Sequence, residues 1–278
     1  MSVFASSSTT PTSLSLSDQS QPIKFTNSQD LFKLIDTTSG DFLIITGILI
    51  IINPYFEQCG RGGFRWRRYY AQSQILLVTI PTHAHEMLHC ILYEKFRDKV
   101  PTRENTWRTK AATTFRASRD RGEGDSTGGP IPERRGHDKW PTFVIEAGVS
   151  ESLAQLRLDM QWWFAASNHD VKIVLLAKLD SSRRMITLEK WMEEPVAAPV
   201  AAKLGATTTR QSAAPRPILQ QTITIHRNEA TSPISYKVIR GALVLEFRLL
   251  FFRSPGEGEG DIIISVSDLQ WYAECVWD

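Results

Sequence analysis

The segment WPTFVIEAG at residues 140–148 constrains the fold more than any other part of this chain. Its apolar residues form a continuous run up to Glu146, which is typical of a buried strand. A carboxylate at the end of such a strand is costly to bury unless a cation or hydrogen-bond donors meet it. We therefore expect a buried strand whose Glu146 is directed at something positively charged.

Asp125 is the second informative acid, and it lies in the glycine-rich stretch GDSTGGP at residues 124–130. An Asp on a bend and a Glu on a core strand provide hard oxygen ligands on a rigid support, which a Mg²⁺ site requires. Simpler interpretations stay open for both acids. Glu146 also suits an ion pair with Lys172 or Arg157 or a hydrogen bond that caps the backbone, and the sequence around Asp125 is typical of a turn.

The composition indicates one globular domain with a sizeable core. The chain has 278 residues, of which 42% are hydrophobic and 22% charged, and this is ordinary for a folded protein. The net charge is only +2, because 32 Lys and Arg nearly balance 30 Asp and Glu. Local clusters alone can therefore argue for nucleic-acid binding. The 3 cysteines form no CxxC pair, which disfavours a disulfide scaffold or a zinc cage and favours a reducing compartment.

We expect a disordered tail followed by a single domain. Residues 1–22 are rich in Ser and Thr and lack the basic start and apolar core of a signal peptide, so an intracellular protein, nuclear or cytoplasmic, is expected. Residues 42–52 are apolar but too short to cross a bilayer, and no membrane partner is expected. The domain is assigned to residues 23–278, with a core at 82–191, a flexible Ala/Pro/Thr-rich insertion at 192–217 and a C-terminal β extension at 218–278.

Hydrophobic periodicity predicts an α+β domain. Helices are predicted at residues 29–35, 82–98 and 151–167, with candidate N-caps at Asn27 or Ser28, Thr82 or His83, and Ser150. Strands are predicted at residues 41–52, 74–80, 111–117, 143–146, 171–179, 185–191, 219–226, 235–239, 243–252 and 262–267, and a loop at 118–139. The order of elements over residues 82–179 is typical of a central mixed sheet flanked by helices.

Arginines are interleaved with aromatic residues in the segment FRWRRYY at residues 64–70. Arg65, Arg67 and Arg68 suit phosphate contacts and the rings suit base stacking, so this segment is the best candidate for a DNA or RNA surface. The alternative is a strand with arginines outside and aromatic residues inside. Further arginines flank the Asp125 stretch and either steer a polyanion or are solvated loop charge: Arg116, Arg119, Arg121, Arg134 and Arg135.

His85 and His89 stand four positions apart on the predicted helix, next to Glu86. This spacing places two imidazoles on one helix face, as in the HExxH motif of zinc proteases. The motif is short enough to arise by chance, and no third ligand is evident on a downstream helix. The simpler interpretation is that these histidines pack or make polar contacts near the start of the helix. Glu86 is likewise a helix-start acid that the helix dipole favours.

These segments resemble the PD-(D/E)xK restriction-endonuclease-like superfamily, and more closely a group of uncharacterised fungal proteins with that predicted fold. The resemblance rests on three segments and covers roughly residues 25–195. They are PTHAHEMLH at residues 81–89, GDS at 124–126 and WPTFVIEAGVSES at 140–152, and Trp162, Trp163 and residues 171–174 also fit. The segment at residues 140–152 is the most specific of them.

The resemblance implies a restriction-endonuclease-like core in which Asp125 and Glu146 bind Mg²⁺ or Mn²⁺ and Glu86 assists. In that superfamily a Lys two positions after the Glu activates the attacking water, and Gly148 stands at that position here. Arg157 on the following helix is the candidate replacement. An Arg stays protonated, however, and is a poor general base.

Two functions are expected and a third is kept open. The first is a metal-dependent phosphodiesterase, a nuclease or its inactive descendant, in which Arg157 helps to stabilise the charge that develops on phosphorus. The second is a non-catalytic module that keeps the nuclease fold and binds nucleic acid or protein, which Gly148 in place of Lys favours. The third is the zinc protease, which requires zinc bound by His85 and His89.

Overall fold

The structure is a computed structural model, and it describes residues 21–49, 63–100, 106–111, 113–194 and 215–278. The helices within these residues are α1 (Ser28–Thr37), α2 (His83–Lys99), α3 (Leu153–Ala166), α4 (Phe247–Phe251) and α5 (Val266–Trp277). They flank mixed sheets, so the predicted α+β class is confirmed. Within the same residues, no helix is both long enough and apolar enough to cross a membrane.

The central sheet has seven strands. They are β5 (Trp107–Thr109), β8 (Ser126–Pro130), β9 (Phe143–Gly148), β10 (Ile173–Asp180), β11 (Met185–Glu194), β12 (Arg216–Asn228) and β13 (Ser235–Ile239). Their spatial order is β13-β12-β11-β10-β9-β8-β5. β9 and β10 pair in parallel at the centre, whereas the other pairs are antiparallel. The sheet is therefore mixed, as predicted.

Helices cover both faces of the central sheet. Successive side chains of β9 alternate between these two faces. Phe143 and Ile145 pack in the core that α2 completes, and Val144 packs with Trp163 of α3 on the other face. Glu146 follows the same alternation, so it lies on the α3 face, and it is 0% exposed. The strand predicted from residues 140–148 is thus present, with its acid buried.

A second sheet lies beside the first and carries the arginine-rich segment. Its strands are β1 (Ile23–Lys24), β2 (Phe42–Thr46), β3 (Arg65–Tyr70), β4 (Ile75–Thr79), β6 (Phe115–Ala117) and β7 (Asp120–Gly122), in the order β1-β2-β4-β3-β7-β6. The register between β3 and β4 shifts between Trp66 and Arg68, which is a β-bulge. A bulge inserts one unpaired residue and redirects side chains, and here that residue is Arg67.

The C-terminal segment packs onto the core that α2 shares with the central sheet. β14 (Leu243–Leu245) and β15 (Ile262–Ile264) form an antiparallel pair, and both contribute fully or nearly fully buried residues to that core. The Tyr272 hydroxyl of α5 donates a hydrogen bond of 3.0 Å to the Leu88 carbonyl of α2. The C-terminal extension is therefore continuous with the packing around α2.

Residues 118–139 do not form the single loop that was predicted, because they contain β7 and β8. β8 has the sequence STGGP and shows no apolar pattern, so its pairing partners rather than its own propensity make it a strand. A Cβ on Gly128 would lie 2.4 Å from the Tyr93 hydroxyl and 2.5 Å from the Trp107 indole nitrogen. The glycine is required for this close approach.

Two further predictions about strands were wrong. Residues 243–252 form β14 and then the helix α4, whose apolar residues Phe247, Leu250 and Phe251 are buried at helical spacing. A short apolar run does not distinguish strand from helix. Of the described residues in the range 111–117, which exclude 112, only the last three form a strand, β6.

The N-cap of α3 is Ser152, which accepts a hydrogen bond of 3.2 Å from the Gln155 N–H, and not the predicted Ser150. The Ser150 hydroxyl instead accepts from the Asp41 N–H at 3.2 Å. The caps at Asn27 and Thr82 agree with the prediction. Most of the predicted tail and insertion, residues 1–20 and 195–214, lies outside the described residues.

Ile264 and Ile263 provide a matched test of whether β15 belongs to the main core, because the first is 0% and the second 52% exposed. We expect Ile264→Ala to lower the free energy of unfolding by about 2–5 kcal/mol, since it opens a cavity in packed apolar surroundings. Ile263→Ala should cost less than about 1 kcal/mol. Urea unfolding monitored by tryptophan fluorescence measures both losses. Equal losses, or two separate transitions in the wild type, would contradict a shared core.

Candidate metal centre and buried arginine network

The bulge in β3 directs two consecutive arginines into the protein. Arg67 is 2% and Arg68 0% exposed, although neighbouring residues of a regular strand point to opposite faces. We call Arg67, Arg68, Glu146, Glu151 and Asp159 the arginine network. The guanidinium of Arg68 also stacks on the Trp162 ring, with 3.8 Å between its central carbon and the ring centroid.

Glu146 is held by both arginines. Its Oε2 lies 3.2 Å from Arg67 Nη2, and its Oε1 lies 3.2 Å from Arg68 Nη2. The Trp163 indole N–H also donates to Oε1. The expected cationic partner of Glu146 is therefore present, but it comes from β3 rather than from Lys172 or Arg157.

The same two arginines bind two further buried acids. Asp159 of α3 forms an ion pair with Arg67, with 2.9 Å between Nε and Oδ2, and accepts a hydrogen bond of 3.2 Å from Arg68 Nε at Oδ1. Glu151 lies 2.6 Å from Arg67 Nη1. Sequence reasoning missed both acids, yet Asp159 occupies a position among the apolar residues of α3, between Leu156 and Trp163, and this is a usable signal.

The arginine network contains three carboxyl groups and two guanidinium groups, so its charges do not balance if every acid is ionised. Burial raises the pKa of Glu146 to about 7, and the nearby Asp125 and Asp159 charges add to this rise while Arg67 opposes it. Burial also raises the pKa of Glu151 well above its usual range. We conclude that the coupled acids hold a proton in mildly acidic solution.

A second cluster lies between α2 and the residue that precedes β8. We call His85, His89 and Asp125 the histidine cluster, and all three residues are buried. One ligand atom from each residue lies within 4.8 Å of the others. His85 Nε2 is 3.2 Å from Asp125 Oδ1. The structure thus brings a third candidate ligand to the two histidines, and this residue lies in the bend just before β8 rather than on a helix.

Neighbouring groups fix the orientation of both imidazoles. His85 Nδ1 is 3.1 Å from Asp41 Oδ2, and Asp41 in turn accepts the backbone N–H groups of Val149 and Ser150 at 2.9 and 2.7 Å. His89 Nδ1 is 2.9 Å from the Ser126 hydroxyl. A carboxylate behind a histidine is the arrangement that commonly orients a metal-binding imidazole.

The acids around the histidine cluster favour protonated imidazoles. Burial alone would lower the pKa of His85, but the charge of Asp125 and hydrogen bonds to Asp125 and Asp41 raise it to about 9. Burial likewise opposes the rise at His89, whose pKa reaches about 9 through its contacts with Cys90 and Glu86 and the charge of Asp125. The cluster is a place where positive charge is stabilised.

The backbone of Ala147 joins the two clusters. Its N–H donates to Asp125 Oδ2 at 2.8 Å, and its carbonyl accepts from Arg67 Nη1 at 3.3 Å. Asp125 therefore contacts β9 at the residue that follows Glu146. Their side-chain partners differ, because Asp125 contacts His85 and Glu146 contacts the arginines.

The other predicted site residues lie around these clusters. Glu86 stands in the first turn of α2 and pairs with Arg65 at 2.9 Å, and their side chains are 30% and 25% exposed. Arg65 Nη1 is also 3.7 Å from Asp125 Oδ1. Arg157 is bound through Nε to Glu189 of β11 at 2.9 Å. The space beside Gly148 is filled, since a Cβ there would lie 3.2 Å from that of Glu151.

A Mg²⁺ ion shared by Asp125 and Glu146 does not fit this arrangement well. Both oxygens of Glu146 face guanidinium groups, which repel a divalent cation. The ligand groups that converge within the described residues are instead those of the histidine cluster and a second set that shares His89, formed with Glu86 and Cys90. Mg²⁺ prefers oxygen ligands, whereas two imidazoles favour a transition metal.

Comparisons with known proteins show a likeness to solved structures and no match in sequence. No protein-family model matches the chain, and no curated protein matches it. Among solved structures, the chain is similar to a "putative nuclease belonging to DUF820" from Anabaena variabilis, with a TM-score of 0.43 and 10% identity. The match covers 74% of this chain and 90% of the other.

Removing a cation from the arginine network should cost much more stability than removing an acid charge. We expect Arg68→Met to lower the free energy of unfolding by about 3–5 kcal/mol, because it leaves buried carboxylates unpaired. Glu146→Gln balances the remaining charges and should cost less than about 1.5 kcal/mol. Arg119→Met, at an exposed position, is the control. Urea unfolding at pH 7 ranks the three variants, and a larger loss in Glu146→Gln than in Arg68→Met would contradict this account.

The proton in the arginine network should make stability depend on pH. Glu146 has a pKa of about 7 in the folded protein and an ordinary value of 4.5, so its stabilising contribution is complete below pH 4.5 and is lost as the pH rises through 7. The stability of the wild type should therefore fall relative to Glu146→Gln between pH 5 and about pH 8. His85 and His89 are present in both proteins, so the comparison reports the effect of removing the Glu146 carboxyl group. Urea unfolding at several pH values tests this, and parallel pH curves for the two proteins would contradict it.

Proposed function

We propose that this protein is a non-catalytic nucleic-acid-binding protein built on a nuclease-like core. The observation that carries the proposal is the engagement of both Glu146 oxygens by Arg67 and Arg68. The resemblance of residues 81–89, 124–126 and 140–152 to the PD-(D/E)xK superfamily supports the nuclease-like core. In such a core Glu146 would bind a metal ion, and here two permanent cations of the chain occupy its carboxylate.

The surroundings of Gly148 support the loss of hydrolysis. A Cβ at this position would lie 3.2 Å from Glu151 and 3.3 Å from Leu156. The space that a Lys side chain would need beside Gly148 is therefore already occupied. Arg157 pairs with Glu189 on a different strand. An activated water would therefore lack both a metal beside Glu146 and a basic group at the expected place.

The nucleic-acid surface that we propose is the hairpin of β6 and β7. Arg116 and Arg119 are exposed on it, and the hairpin leads directly into Asp125. Arg67 and Arg68, which the sequence suggested for this role, are buried and bound to acids, so we transfer the role to the hairpin. Phosphate contacts from exposed arginines give binding that weakens with salt and depends little on sequence.

Neutralising the hairpin should weaken binding to nucleic acid. We expect the double variant Arg116→Ala/Arg119→Ala to bind a labelled duplex or single strand about tenfold more weakly at moderate salt, with a salt slope reduced by about 1–2. The control is Arg183→Ala/Lys237→Ala, which removes the same charge from exposed positions elsewhere. Fluorescence anisotropy across a salt series measures both. No binding by the wild type, or equal losses in both variants, would overturn the proposed surface.

A metal-dependent phosphodiesterase is the second candidate, and the specific observation in its favour is the approach of Asp125 to the strand that carries Glu146. Wild-type protein incubated with plasmid DNA or single-stranded RNA in Mg²⁺ or Mn²⁺ separates the two functions. We expect no cleavage. Cleavage that is retained by Arg183→Ala, at an exposed position outside the hairpin, and abolished by Asp125→Asn would replace the binding proposal with the enzymatic one.

A further inference from the structure

We propose that His85, His89 and Asp125 form a binding site for a divalent transition-metal ion such as Zn²⁺. The site does not depend on the proposed function, because none of its ligands belongs to the arginine network or to the β6–β7 hairpin. The geometry points to it, since one ligand atom from each residue lies within 4.8 Å of the other two. Two imidazoles and one carboxylate are a common donor set for zinc and related ions.

The elements that carry these ligands are well fixed. His85 and His89 project from one face of α2, which Thr82 caps by accepting the His85 N–H at 3.2 Å. Asp125 precedes β8 and is anchored through Oδ2 by the Ala147 N–H at 2.8 Å. Its Oδ1 points to His85 Nε2 at 3.2 Å. A small inward shift of these groups would place all three around one ion.

Outer contacts leave one ring nitrogen of each histidine available as a ligand atom. Asp41 contacts the Nδ1 of His85 at 3.1 Å, so Nε2 is the nitrogen directed at Asp125. The Ser126 hydroxyl contacts the Nδ1 of His89 at 2.9 Å, and His89 Nε2, 3.4 Å from Glu86 Oε1, has no partner with hydrogen-bond geometry. A buried ring nitrogen without a hydrogen bond is a rare feature that a bound ion would satisfy.

The cluster has a route to solvent. Glu86 and Arg65 border it with side chains that are 30% and 25% exposed, and Cys90 beside His89 is exposed. An ion with three protein ligands keeps at least one coordination position for water, Glu86 or another small ligand. Glu86 and Cys90 also form the second possible set with His89, and the experiment separates the two sets.

The test is metal binding by the full chain, produced without a polyhistidine tag and stripped with a chelator. Titration with Co²⁺, followed by its visible absorption, and competition with Zn²⁺ should give about one ion per chain, with no displacement by millimolar Mg²⁺. His85→Ala and Asp125→Asn should each weaken binding by about 100-fold or more, and Asp41→Asn by about 10–100-fold. His83→Ala, an exposed histidine on the same helix, should leave the affinity unchanged.

A second measurement on the wild type keeps the proposal testable if a variant fails to fold. Histidine ring nitrogens observed by NMR should show that two of the 6 histidines shift when Zn²⁺ is added. Absence of binding, or equal weakening by His83→Ala, would overturn the site. Binding that survives His85→Ala but is lost in Cys90→Ser would overturn it in favour of the second set. Plasmid cleavage has no part in these readouts, so failure here is distinct from failure of the proposed function.

Discussion

The pairing of Arg67 and Arg68 with Glu146, Glu151 and Asp159 is the interaction on which the rest of the structure depends. It joins β3 of one sheet to β9 and α3 of the other, and its members are almost completely buried. Buried ion pairs of this kind add little net stability compared with an apolar core, but breaking one leaves an uncompensated charge at high cost. The main effect of the network is therefore geometric. It fixes the position of the second sheet relative to the central sheet.

Several local features of the sequence serve that requirement. The bulge in β3 is needed because a regular strand would direct only one of Arg67 and Arg68 inward. Gly122 of β7 is needed because a Cβ there would lie 1.8 Å from Arg68 Nη1. Trp162 and Trp163 supply a flat surface beside the Arg68 guanidinium and a hydrogen bond to Glu146. The bulge, Gly122 and the two tryptophans are thus all explained by the burial of Arg67 and Arg68.

The sequence allowed the long, strongly patterned elements to be predicted, and the failures have physical causes. The helix α2, the strands β9 and β10 and the need for a cation at Glu146 follow from periodicity and burial cost. β8 was missed because its glycines are selected by close approach to Tyr93 and Trp107, which no local pattern records. The partner of Glu146 was missed because it lies 78 residues away on β3. The convergence of Asp125 with His85 was missed because it depends on how α2 packs against β8.

The arginine network and the histidine cluster both contact Ala147 of β9, the first through its carbonyl and the second through its N–H. On one side, the Ala147 carbonyl and Glu146 meet guanidinium groups, which are permanent charges that cannot leave or exchange. On the other, the Ala147 N–H fixes Asp125 toward imidazoles, which bind either protons or a metal ion. A site whose cation is part of the chain is stable without any cofactor but has no vacant coordination position for a reacting water. Under the proposed function, the arginines at Glu146 would leave the nuclease-like core without metal-dependent hydrolysis, and the neighbouring Asp125 would remain available to the ion proposed above.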